Sequence, residues 1–84
     1  MNTDNNKSDL YIIVADTFEV DVKTVDDNTS SEDIKKWDSL GQLQLLAAIE
    51  SFYSINFEIS EIFQIFNLGD IRKILIKKGL SSWI

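Results

Sequence analysis

The strongest structural signal in this chain is a run of helix-forming residues that begins just after Asp38-Ser39 and ends near Tyr53. Leucine, alanine, glutamine and glutamate fill most of the run, and these residues have high helix propensity. The side chains of Asp38 and Ser39 can both accept hydrogen bonds from the first free backbone N–H groups, so they mark a helix start. An anion attached to Ser39 would lie at the positive end of the helix dipole. The plainer interpretation is that Ser39 is only an N-cap.

Apolar residues of this helix fall in two rows, which predicts a helix that is buried on two sides. The rows are Leu43, Leu46 or Ala47, and Tyr53 on one side, and Leu45, Ile49 and Phe52 on the other. We therefore expect core positions at Leu43, Leu46, Ile49, Phe52, Ile71 and Ile74. Phe57, Phe63 and Phe66 are also interpreted as core. Gly41, in the first turn, is either a clearance for a group on Ser39 or a neutral surface glycine.

Three further helices are predicted, one before this helix and two after it. The first is capped by Ser8 or Asp9, presents Leu10, Ile13, Val14 and Phe18 on one face, and ends near Phe18. A short third helix, Glu61 to Phe66, is capped by Ser60. The fourth runs from Leu68 to Lys78, opens with a capping box of Asn67 and Asp70, and stops at Gly79. We predict an all-α fold: a small four-helix bundle of three main helices plus one short helix.

The long connection from Glu19 to Lys36 is predicted to be a loop that is pinned by Val20, Val22 and Val25. Its acidic centre, Asp26 to Asp33, superficially resembles a calcium loop. The pattern fails because Ser31 and Trp37 occupy the positions where an EF-hand needs glycine and glutamate. A solvated loop is the better interpretation, and we predict no metal site.

Composition limits the functions that are open to the chain. It has no cysteine and no histidine among its 84 residues. Thiol nucleophiles, imidazole bases, disulfides and the usual zinc ligands are therefore excluded. Ser39 also has no base in motif with it, so we predict that the chain is not an enzyme. The net charge of −6 argues against nucleic acid and anionic membrane as partners and favours partners with basic surfaces.

The expected domain organisation is simple. Residues 1–8 are predicted to be a flexible tail, residues 9–80 one domain, and residues 81–84 a short tail whose Trp83 could fold back on the bundle. We find no targeting segment and no apolar run long enough for a membrane span, so we expect a cytoplasmic monomer.

Several residues around Ser39 are similar to the core motif of acyl and peptidyl carrier proteins. They are Trp37, Asp38-Ser39-Leu40, Leu43, Leu46, Glu50 and Phe52. In that family the serine of Asp-Ser-Leu carries a 4′-phosphopantetheine arm, so the resemblance implies that Ser39 is the attachment site. The resemblance extends more loosely from about Leu10 to Leu80, and the layout of that family agrees with the helices predicted above.

The resemblance implies a discrete carrier that holds an acyl or aminoacyl group as a thioester for fatty-acid, polyketide, peptide or related biosynthesis. Its partners would be a phosphopantetheinyl transferase and the enzymes that load or transfer the acyl group. These partners would touch Asp38, Leu40, Gln42 and Gln44. The second helix has fewer acids than the carriers of bacterial fatty-acid synthesis, so we expect docking to depend on Leu40 more than on charge. The alternative is a small helical protein–protein interaction domain in which Ser39 is only an N-cap.

Overall fold

The computed structural model describes residues 8–80 as an all-α domain, which confirms the predicted fold class. Its four α-helices are α1 (Asp9–Phe18), α2 (Ser39–Tyr53), α3 (Ile59–Ile62) and α4 (Leu68–Lys77). A short 3-10 turn, Val22–Thr24, lies between α1 and α2, and residues 8–80 contain no β-strand. The predicted tails, apart from Ser8, lie outside the described residues, and so does Trp83.

Local hydrogen bonds place the ends of α1 and α4 close to where the sequence predicts them. The hydroxyl of Ser8 accepts from the backbone N–H of Tyr11 at 3.3 Å. At the start of α4, the backbone N–H of Asp70 donates to Asn67 Oδ1 at 2.9 Å, and that of Asn67 donates to Asp70 Oδ2 at 3.2 Å. Gly79 has a φ of 106°, a conformation that glycine adopts at little cost and that stops the helix.

The third helix differs from the prediction at both ends. It begins at Ile59 and ends at Ile62, so both of its ends lie earlier in the chain than expected. The N-cap is Glu58 rather than Ser60. The backbone N–H of Glu58 donates to Glu61 Oε1 at 2.9 Å, which fixes the first turn two residues upstream of a serine cap.

One hydrophobic core joins α1, α2, α4 and the long loop. The predicted core positions Leu46, Ile49, Ile71 and Ile74 are confirmed as buried. The largest fully buried side chains of the described residues are Phe18, Leu10, Leu45, Ile49, Leu68, Ile71, Leu75, Val14 and Val25. Because a domain of this size buries only about 60% of its unfolded surface, each of these side chains carries a large share of the stability.

The prediction that α2 is buried on two sides is wrong. Leu43 and Phe52 were expected in the core, but they are 59% and 56% exposed. The buried positions of α2 are Gly41, Leu45, Leu46 and Ile49, which form one face. Each predicted row therefore has one exposed member, Leu43 in the first and Phe52 in the second, beside buried ones. On the side of Leu43, α3 has only four residues and leaves this side chain accessible. Phe63 and Phe66 are likewise exposed rather than buried, and Phe57 is half-buried.

The long loop between α1 and α2 is fastened to the helices at its centre. Backbone N–H groups at the start of α4 donate to the loop, from Leu68 to the Thr29 carbonyl at 2.9 Å and from Gly69 to the Asp27 carbonyl at 2.8 Å. The side chain of Asp27 also accepts from Tyr11 Oη at 2.7 Å and from Arg72 Nε at 3.1 Å. The acidic centre of the loop thus joins α1 to α4.

The two tyrosines of the chain provide a check on this packing. Burial raises the pKa of Tyr11, as does its hydrogen bond to Asp27. Burial also raises the pKa of Tyr53, with a smaller effect from the charge of Asp9. Both groups therefore hold their protons more tightly in the folded chain. Their contribution to stability is complete below the ordinary tyrosine pKa of about 10 and is lost as the pH rises through the raised pKa.

We expect the tyrosinate ultraviolet absorbance of the folded protein to appear at higher pH than that of the same protein in denaturant. The denatured sample is the internal control, because it contains the same two tyrosines without their surroundings. Identical titration midpoints in the two samples would show that neither tyrosine is held in the packing described here.

Candidate functional site

Ser39 is the first residue of α2, and its hydroxyl is not used to cap the helix. The N-cap is Asp38, whose Oδ1 accepts from the backbone N–H of Gly41 at 2.8 Å. The Asp38 carbonyl accepts from the backbone N–H of Gln42, also at 2.8 Å. Ser39 is exposed, and its hydroxyl makes no hydrogen bond within residues 8–80. The structure therefore assigns to Asp38 the capping role that the sequence analysis left open between the two residues.

Two core contacts fix the position of this helix start. Trp37 is only 4% exposed, and its ring stacks on Phe18 with 5.4 Å between the centroids. The backbone at Gly41 lies so close to the loop that a Cβ there would be 2.0 Å from the Lys36 carbonyl oxygen. Gly41 is buried, so it is neither a surface glycine nor a clearance beside Ser39. It is required because the chain before α2 passes against the first turn of the helix.

An open groove of about 660 Å³ lies beside Ser39, between α2 and α3. Leu43 of α2 and Ile62 and Phe63, at the end of α3, form much of its apolar wall. Sequence reasoning placed Leu43 and Phe63 in the core and so missed the groove. The shortness of the predicted third helix was the available signal, because a short helix covers few side chains of α2.

An ion pair holds α3, and so one wall of the groove, against the end of α4. The Lys78 ammonium lies 2.9 Å from Glu61 Oε1, and both side chains are largely buried. The pKa of Glu61 is lowered, first by the hydrogen bond from the backbone N–H of Glu58 and then by Lys78. The resulting stabilisation is present above the ordinary carboxyl pKa and is lost as the pH falls through the lowered one.

The structure brings only some of the predicted site residues together at the groove. Asp38, Ser39 and Gln42 line it, whereas Leu40 and Gln44 are exposed on the neighbouring surface of α2. Leu40 is 65% exposed, so an apolar side chain next to Ser39 is open to a partner. Gln42 is half-buried, and its side chain is already bonded to Trp37.

No lysine or arginine of the described residues lines the groove beside Ser39. The Lys36 ammonium is instead hydrogen-bonded to the exposed Glu19, which lowers the pKa of that carboxyl. An anion on Ser39 would therefore depend on neutral donors. The backbone N–H groups of Ser39 and Leu40 have no acceptor within residues 8–80. They belong to the first turn of a long helix, where free N–H groups and the dipole favour a phosphate group.

These features fit a phosphate ester on Ser39. The hydroxyl is exposed and unbonded, two backbone donors adjoin it, and an apolar groove begins at the same place. The Ser39 hydroxyl makes no hydrogen bond to a basic group in the described part of the chain. Across residues 8–80, none of the helices is both long enough and apolar enough to span a bilayer.

Similarity to known proteins is found among solved structures. No family model matches the chain, and no curated protein matches it in sequence. Among solved structures, the chain is similar to a holo acyl carrier protein from Geobacter metallireducens that was determined by solution NMR. The two share 33% sequence identity over 83% of this chain and 80% of the other, with a TM-score of 0.76. At that identity and coverage, the chain belongs to the acyl carrier protein family.

Proposed function

We propose that the chain is a discrete acyl carrier protein with a 4′-phosphopantetheine arm joined to Ser39 through a phosphodiester. The observation that supports this most strongly is the state of the Ser39 hydroxyl, which is exposed and unbonded because Asp38 supplies the helix cap. A serine that is needed only for capping would have its oxygen occupied by a backbone N–H.

When bound, the arm supplies a thiol that carries an acyl or aminoacyl group as a thioester. The chain's own residues supply position and surroundings. Asp38 fixes the first turn of α2, and Trp37 anchors it in the core. The backbone N–H groups of Ser39 and Leu40 have no acceptor within residues 8–80 and belong to the first turn of α2, so they are available to a phosphate on Ser39. Leu43 and Phe63 offer an apolar surface in the groove next to that place.

The alternative is a small helical interaction domain in which Ser39 is only a cap. The exposed side chains of Leu40, Phe63 and Phe66 favour a protein partner of some kind. That alternative, however, gives Ser39 a role that Asp38 already fills. A carrier also needs an apolar docking surface, so these exposed side chains do not argue against the proposal.

The intact mass of the protein distinguishes the two functions. The wild-type chain is incubated with coenzyme A and a phosphopantetheinyl transferase of broad specificity, and then weighed by mass spectrometry. We expect a gain of one phosphopantetheine group. An interaction domain would keep its original mass, and that result, with a known carrier protein modified in a parallel reaction, would contradict the proposal.

Leu40 is the residue that we expect the transferase to contact most closely. It follows Ser39 in sequence and is exposed, whereas the acids near Ser39 are few. An apolar anchor mainly sets affinity, while charges at the rim mainly set association rate and salt dependence. We therefore expect Leu40→Ala to slow phosphopantetheinylation strongly and added salt to slow it only modestly.

Two variants serve as controls for this experiment. Ser51→Ala changes an exposed residue near the other end of the same helix, and we expect it to have little effect on the rate. Asp38→Asn should be measured as well, because Asp38 both caps α2 and carries a charge beside Ser39. If salt alone abolished transfer and Leu40→Ala left it intact, recognition would be electrostatic. The acidic loop from Asp26 to Asp33 would then be the better candidate for the contact surface.

We extend the proposal to the location, oligomeric state and pathway of this carrier. We propose a cytoplasmic monomer that serves fatty-acid, polyketide, peptide or related biosynthesis and meets enzymes that load or transfer the acyl group. The accessible part of α2 near Ser39 has glutamine at positions 42 and 44, and its acids are few. This composition favours the enzymes of a specialised pathway over those of bacterial fatty-acid synthesis. Identification of the acyl group on protein purified from its native host would test this part.

A further inference from the structure

The side-chain amide of Gln42 is held in one orientation by the indole of Trp37. The indole Nε1–H donates to Gln42 Oε1 at 2.6 Å. An indole nitrogen can only donate a hydrogen bond, so the atom that faces it must be the amide oxygen. This removes the usual ambiguity between the oxygen and nitrogen of a glutamine side chain. The amide nitrogen of Gln42 therefore points away from Trp37.

The partner that orients Gln42 is itself fixed. Trp37 is buried and stacks on Phe18, so its N–H direction is set by the core rather than by the surface. The NH₂ group of Gln42 carries two N–H donors, and they have no acceptor within residues 8–80. The core thus presents an oriented and unused pair of donors on the surface of α2.

These donors lie where an anion on Ser39 would need them. Ser39 and Gln42 are three residues apart on a helix, which places them on the same face, and both line the groove. Among residues 8–80, the only charged residue that lines the groove is Asp38, which would repel a phosphate. Apart from backbone N–H groups, Gln42 supplies the one unpaired side-chain N–H donor among the described residues that line the groove.

We propose that Gln42 is a positioning residue whose amide N–H donates a hydrogen bond to a phosphate oxygen of the group on Ser39, with Trp37 holding the amide in place. This inference rests on the proposed function, because it requires a phosphodiester at Ser39. It makes Trp37 and Gln42 a pair: the indole satisfies the amide oxygen so that the amide nitrogen stays available for the phosphate.

Nuclear magnetic resonance tests the contact directly, with no measurement of enzyme activity. The side-chain amide signals of Gln42 and the indole signal of Trp37 are recorded on ¹⁵N-labelled protein before and after attachment. We expect an amide proton of Gln42 to move downfield on attachment, while the indole signal stays close to its position. Unchanged Gln42 amide signals in the modified protein would overturn the inference.

A second reporter is the ³¹P resonance of the phosphodiester. Gln42→Met keeps a side chain of similar length but removes the donors, and we expect it to shift this resonance. Gln44→Met makes the same replacement on the outer surface of α2 and should leave the resonance in place. Equal ³¹P positions in the wild type and in both variants would also overturn the inference. The wild-type comparison needs no variant, so a poorly folded Gln42→Met protein would not remove the test.

The failure of this inference differs from the failure of the proposed function. If no phosphorus signal and no mass gain appear after treatment with the transferase, Ser39 carries no arm, and both proposals fall. If the phosphorus signal appears but does not depend on Gln42, the carrier function stands and the hydrogen bond is refuted.

Discussion

Replacement of Leu46 by alanine is expected to lower the free energy of unfolding by about 2–5 kcal/mol. Leu46 is 3% exposed and lies on the buried face of α2 with Leu45 and Ile49. Removal of its methyl groups loses their transfer free energy and leaves a cavity that the surrounding helices close only in part. Because domains are typically stable by only about 5–15 kcal/mol, this loss is a large fraction of the total.

Leu43→Ala provides the matched control, because it is the same replacement at an exposed position on the same helix. The Leu43 side chain is 59% exposed, so we expect Leu43→Ala to change stability by roughly 0.5 kcal/mol or less, as at other surface sites. Chemical denaturation of the two variants beside the wild type measures both effects. Equal losses from the two substitutions would contradict the assignment of the buried face.

Gly41→Ala is the second substitution for which we expect a large change in stability. The informative result is whether the protein becomes less or more stable. In an ordinary helix interior, alanine is more favourable than glycine by about 1 kcal/mol. Here the added Cβ would lie 2.0 Å from the Lys36 carbonyl oxygen and 3.0 Å from the Phe18 ring, so the backbone must move. We expect the substitution to destabilise the protein by about 1–3 kcal/mol or more, as in other overpacked cores.

Thermal unfolding of Gly41→Ala, with Ser51→Ala as a control, measures this effect. Ser51 is exposed on α2, where alanine is free to act through helix propensity alone, so its melting temperature should stay the same or rise slightly. A melting temperature for Gly41→Ala above that of the wild type would show that the loop does not press against the first turn of α2.

The features that the sequence predicted well are those that short-range hydrogen bonds determine. The capping box of Asn67 and Asp70 and the left-handed Gly79 fix the ends of α4 from residues within a few positions. The start of α2 was predicted for the same reason. The choice between Asp38 and Ser39 as its cap was left open, because both side chains have suitable oxygens. The third helix was misplaced because Glu58 and Glu61 form a less common cap than Ser60 would have.

The features that the sequence did not predict depend on contacts between distant parts of the chain. Leu43, Phe52 and Phe63 have side chains that are typical of a core, and helical periodicity alone does not say which apolar positions face a neighbouring element. In the structure α3 has only four residues, and all three side chains are exposed. The bond between Trp37 and Gln42 was missed as well, because it joins the loop to the helix across the cap.

The central claim is that Ser39 is the single attachment site, and the intact mass of Ser39→Ala after treatment with coenzyme A and a transferase tests it most directly. Because Asp38 supplies the cap, this variant should retain wild-type stability to within about 0.5 kcal/mol, so a failure to react cannot be ascribed to unfolding. Ser31→Ala is the matched control, since Ser31 also lines the groove. We expect Ser31→Ala to gain one phosphopantetheine group, as the wild type does, and Ser39→Ala to gain none. A Ser39→Ala protein that still gains the group would contradict the assignment of the site.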